Sequence, residues 1–163
     1  MIDTFERLTS VLARAAAFLG VASLVCLMGL TVVTVAFRAV GIAFPGTYVL
    51  AELLLIPTVS FALAYAGWTG SHTRVELLTH NLPPLIARLA KGTTLLAGVI
   101  FWAIVVWAGI EEVLRRSAQG ETTPLLDIPV APFRWLMVAA IILLIAILIL
   151  RALQAFTGRE ARK

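Results

Sequence analysis

The chain has 163 residues, of which 61% are hydrophobic and 13% charged, and its mean hydropathy is +1.00. A soluble domain averages roughly 45–50% apolar and about 25% charged residues, so ordinary soluble enzymes, disordered chains and conventional nucleic-acid-binding domains are excluded. The net charge of +4 is then read as loop charge facing an anionic membrane surface, and the protein as integral to the membrane.

Four apolar stretches are long enough to cross a bilayer core of about 30 Å. The first, Ala15–Phe37, is uncharged and bracketed by Arg14 and Arg38. It exceeds a signal-peptide core of about 7–15 residues and is expected to be retained. The second runs from about Thr47 to Trp68 and carries Glu52 near its start. The third, Gly92–Ile110, lies between Lys91 and Glu111, and a helix is expected to continue unbroken from Pro84 to about Ser117. The fourth, Trp135–Leu150, begins nearer Pro132. The expected fold is therefore an all-α integral membrane domain of four helices, with spans of about 15–37, 47–68, 92–110 and 132–150 in a small bundle. No second domain is expected.

Four crossings leave both termini on one side. Lysine and arginine are concentrated on the two terminal arms and the middle loop, which places these in the cytoplasm. Trp68, Trp135 and Tyr48 stand near span ends, where interfacial aromatics belong.

The middle loop, Gly70 to Pro84, carries Val75, Leu78 and Leu82 on one helical face. Residues 73–81 are expected to form a short amphipathic helix in the cytoplasmic interface, stopped by Pro83-Pro84. His72 within this loop reads as a polar interfacial side chain before it reads as a proton carrier.

Glu52 is the one ionisable residue inside the spans away from their edges. Burying a lone carboxylate costs several kcal/mol, so three readings stand open. It reaches interfacial water, it pairs with a cation (Arg38, Arg134 or one on a partner), or it carries protons in a transport cycle. Pro57, five residues on, is expected to kink the helix. Gly20, Ser23, Gly29, Ala62, Ala66, Gly98 and Gly109 provide small surfaces for close helix approach. Trp102 and Trp107 lie about 140° apart around their helix and form no common stripe.

The last outer loop, Gly120 to Pro132, holds three prolines at 124, 129 and 132 and is mildly acidic. It reads equally as a connector and as a docking surface for a soluble partner. No His, Cys, Asp and Glu residues fall at metal-ligand spacing, and no catalytic triad could assemble in one plane, so neither metal nor cofactor nor enzymatic activity is expected. An accessory subunit fits these features best. A small homo-oligomeric proton-coupled carrier using Glu52 is the alternative.

The chain resembles the small membrane subunit of tripartite ATP-independent periplasmic (TRAP) transporters over almost its whole length. The resemblance rests on Glu52 early in the second span and on His72-Thr73-Arg74-Val75-Glu76 followed by Leu82-Pro83. It also rests on the outer element Gly120, Thr123, Ile128 and Pro129. Glu76 stands where Asp is commoner, and the aromatic usual after Ile-Pro is missing. The resemblance implies a scaffold in the inner membrane of a bacterium. Its partners would be a large multi-span subunit that moves an organic acid inward on a sodium gradient and a periplasmic protein that delivers it. Glu52, His72, Arg74, Glu76 and Pro129 are then contact or structural residues.

Overall fold

A computed structural model describes residues 2–42, 45–69 and 84–157. Four helices account for nearly all of them: α1 (Ile2–Ala39), α2 (Thr47–Thr69), α3 (Pro84–Ala118) and α4 (Ala131–Thr157). Each holds a stretch long and apolar enough to cross a membrane: Arg7–Ala39, Thr47–Thr69, Gly92–Ala118 and Ala131–Ala155. The helix expected to continue from Pro84 to about Ser117 is present. The expected interfacial helix at 73–81 lies outside the described residues.

α1 and α3 outrun the bilayer. At 1.5 Å per residue they measure ~57 Å and ~53 Å, against a core of ~30 Å. α1 begins well before its uncharged stretch because Arg7 and Arg14 are good helix formers. Thr9, Ala13, Ala16 and Gly20 also continue a buried face through that segment. α2 buries Val49, Leu53, Pro57, Ser60, Ala64 and Gly67, spaced three or four apart as one helical face. It runs on through Pro57, and the Thr58 and Ser60 hydroxyls donate to the carbonyls of Leu54 and Ile56 at 2.8 and 2.6 Å.

The helices of this small bundle pack as an open row. α1 packs on α2, α2 on α4 and α4 on α3, with only a lesser contact between α1 and α4. α4 is consequently the central element, 44% buried along its most apolar stretch, whereas α3 at the end of the row is 6% buried. Leu95 of α3 joins Leu144, Leu148 and Ala152 of α4 in the core, with Val99 and Trp102 packed against them. The two tryptophans separate as their spacing requires, Trp102 to this core and Trp107 to the outside.

Gly67 shows why small residues recur in the spans. A Cβ built there would stand 2.2 Å from Leu144 Cδ1 and 3.7 Å from its Cγ, so the Leu144 methyl occupies the space that any larger residue would need.

Candidate functional site

The most organised polar structure among the described residues lies at the end of the molecule where α3 turns into α4. Glu112 is one turn and a half from the end of α3, and Arg115 and Arg116 follow it at i+3 and i+4, where side chains share a face. Arg115 Nη2 reaches Glu112 Oε2 at 2.5 Å, and Arg116 Nε donates to Glu112 Oε1. Arg116 Nη1 also donates to Glu121 Oε1 at 2.6 Å, across the helix end. Arg134, from the first turn of α4, closes the set at 3.7 Å from Glu112 and 3.4 Å from Glu121. Three guanidinium groups thus enclose two carboxylates, and Glu121 Oε2 is fully shielded from water beside Arg134. Such a network holds the loop by charges from three separate elements. Each added bridge costs less side-chain entropy because its partner is already held.

The loop itself is closed by its backbone. Gly120 takes a left-handed conformation (φ 65°) that ends α3, as glycine does without a Cβ clash. Thr123 then pairs twice with Ile128. Its N–H donates to the Ile128 carbonyl at 2.9 Å, and its Oγ1 accepts from the Ile128 N–H at 3.1 Å. The Asp127 N–H donates to the Thr123 carbonyl at 3.1 Å, and Thr122 bridges to Pro129. Thr123 is buried, so its hydroxyl supplies an acceptor that water cannot. This is the physical content of the Gly120, Thr123, Ile128 and Pro129 spacing.

At the tip, Leu125 stands in the left-handed region (φ 78°) with 72% of its surface exposed. Its neighbour Leu126, still exposed, lies over Gly46, where a Cβ would come within 3.1 Å of Leu126 Cδ1. Gly46 is itself left-handed (φ 90°) and opens α2 through the Leu50 N–H to Gly46 carbonyl bond. The two loops at this end are therefore joined, and they form one surface.

Glu52 lies at the same end on α2, beside the buried Leu53 but exposed. Of the intramolecular partners considered for it, Arg134 is engaged by Glu112 and Glu121, and Arg38 forms no ion pair among the described residues. Pro129 is exposed in the closed loop. His72, Arg74 and Glu76 lie outside the described residues. Sequence reasoning missed the clasp of Glu112, Arg116, Glu121 and Arg134. It also missed Arg151 of α4, whose Nη2 donates to the Trp68 carbonyl and satisfies the end of α2. The spacing of Glu112 to Arg115 and Arg116 was a readable signal. Nothing local announces the reach of Arg134 or Arg151.

The described residues contain no group of three or more His, Cys, Asp or Glu side chains able to hold a metal ion. No curated protein and no solved structure matches the chain. A family model described as "Tripartite ATP-independent periplasmic transporters, DctQ component" matches residues 27–158, from the middle of α1 past the end of α4. With four membrane-length helices and a match over most of its length, the chain belongs to the DctQ family, a transporter component and not an enzyme.

Proposed function

We propose that this chain is the non-catalytic scaffold of its transporter. In this reading it stands in a bacterial inner membrane with both termini in the cytoplasm and braces a large multi-span subunit. That subunit moves an organic acid inward on a sodium gradient, after a periplasmic binding protein delivers it.

One observation carries the reading: the helices form an open row. A closed bundle of four would encircle its own interior. An open row instead offers broad apolar faces to a neighbour, as a moving carrier needs from a fixed partner. The long α1 and α3 suit this role, since helices longer than the core tilt or protrude and widen the wall. The clasped loop end, with Leu125 and Pro129 exposed, provides a rigid surface facing the side where a soluble binding protein would arrive.

The test is reconstitution. Co-expressed with the large subunit, this chain should purify with it, and vesicles holding both plus the binding protein should take up the organic acid on a sodium gradient. Vesicles holding this chain alone should take up nothing. Uptake by the isolated chain, abolished by Glu52→Gln with assembly intact, would instead establish the proton-coupled carrier.

A further inference from the structure

On the outside of the α1–α2 pair runs a groove of about 590 Å³, lined by Ala17, Phe18, Val21 and Leu24 of α1 and by Ala62 and Tyr65 of α2 among others. Its floor is set by Gly20, whose missing Cβ would sit 3.2 Å from Phe61 Cβ. The helices are antiparallel, so the groove's two ends can be read from its lining. Leu24 and Thr58 line one end and Ala17 and Thr69 the other, and Arg14 follows one turn beyond Ala17 on α1.

The walls are apolar and the mouth is open. Phe18 is 74% exposed and Val21 60%. Thr58 and Thr69 donate their hydroxyl protons to carbonyls of their own helix, so neither proton needs a partner in the groove. From Thr58 to Thr69 the groove runs ~16 Å at 1.5 Å per residue. That is the depth of one leaflet of a ~30 Å hydrocarbon core.

Arg14 lies one turn beyond the groove's lining on α1, exposed and without an ion pair among the described residues. It shares a helical face with Phe18 and Val21, at i+4 and i+7. A guanidinium at the interface directly below an apolar channel one leaflet deep has the polarity of a single amphiphile. The Tyr65 phenol, one turn above Thr69, forms no hydrogen bond among the described residues and can donate to an ester oxygen.

We infer that the α1–α2 groove is a phospholipid site, with one acyl chain along Phe18, Val21, Leu24 and Ala62 and the phosphate paired with Arg14. The occupant lies along the outer seam of the packed α1–α2 pair and so stiffens α1 against α2. Anionic headgroups are preferred, because nothing on them competes with the guanidinium for the phosphate.

The full chain is to be reconstituted in vesicles of equimolar phosphatidylcholine and phosphatidylglycerol, extracted in mild detergent and weighed intact by native mass spectrometry. The wild type should retain one phospholipid, enriched in phosphatidylglycerol. Ala62→Trp fills the groove and should release it. Phe18→Ala, at a site exposed enough to spare folding, should lower retention several-fold. Arg14→Gln should keep a lipid but lose about fivefold of the preference for phosphatidylglycerol. Helix content by circular dichroism confirms that each variant is folded. Equal retention by wild type, Ala62→Trp and Phe18→Ala would overturn the site, and an unchanged headgroup preference in Arg14→Gln would overturn the phosphate contact. Release of the lipid from the wild type on assembly with the large subunit would also overturn it, by showing the groove to be a seat for a partner helix. Co-purification of the large subunit reports separately on the scaffold reading.

Discussion

Thr123 and Ile128 exchange two bonds, one through the backbone and one through the threonine hydroxyl, and only the second depends on the side chain. Thr123→Val keeps the shape and removes the acceptor, which leaves the half-buried Ile128 N–H without its side-chain partner. The expected loss is ~1 kcal/mol of local stability. Hydrogen exchange at the Ile128 amide should therefore quicken about fivefold, while Thr123→Ser, which restores the oxygen, should exchange as the wild type does. The neighbouring charges show how far a sequence discloses such a site. Glu112 with Arg115 and Arg116 is a helical i, i+3 and i+4 pattern, legible from the spacing of the residues alone. Arg134 enters the same network from another helix, and Arg151 reaches the Trp68 carbonyl across 83 positions of chain. Contacts of that kind depend on which helices are neighbours, and side-chain identity alone does not encode this. The acidic character read into the outer loop from its residues is, in space, largely neutralised by these guanidinium groups.

At the scale of the helix, hydropathy locates the membrane-crossing stretches well because the bilayer imposes a length, and all four expected spans lie inside observed helices. The span limits do not mark the start of α1, whereas the continuation of α3 from Pro84 to about Ser117 was expected. Arg7, Arg14, Arg115 and Arg116 mark departure from lipid, yet they are good helix formers, so α1 and α3 continue through them. Packing between helices follows a different rule again, since lipid is as apolar as leucine and association depends on close fit. Gly67 is where that fit is tightest. Gly67→Ala should push Leu144 from a fully buried position and destabilise the α2–α4 contact by ~1–3 kcal/mol, the usual cost of overpacking. Leu144→Ala alone should cost ~2–5 kcal/mol through the cavity it leaves. Because the new methyl occupies part of that cavity, the double variant should be more stable than the two separate losses predict. Denaturant unfolding of the four proteins in one detergent measures this, and strict additivity would show that the two positions do not touch.

The order of helices in the whole molecule was beyond the reach of the sequence. α2 and α4 are apolar nearly all round, and a helix without a polar side gives no sign of which face meets protein and which meets lipid. The expected small bundle carried no helix order, and a closed ring of four would place α1 beside α3. In the observed row α1 and α3 are the two ends, held apart by α2 and α4. Paired cysteines distinguish these arrangements in a Cys26→Ser background. Gly109→Cys with Val138→Cys should cross-link, since a Cβ at Gly109 stands 3.5 Å from Val138 Cγ2. Gly20→Cys with Phe61→Cys should do the same for α1 and α2, where the Cβ separation would be 3.2 Å. Gly29 and Ala108 each lie ten residues before the end of a helix, at matching depth in α1 and α3. Cysteines at that last pair should remain unlinked in the isolated chain, and also after the large subunit is added if it bears on the row as on a wall. An α1–α3 cross-link under either condition would mean that the row closes on itself, which would remove the extended face on which the scaffold reading depends.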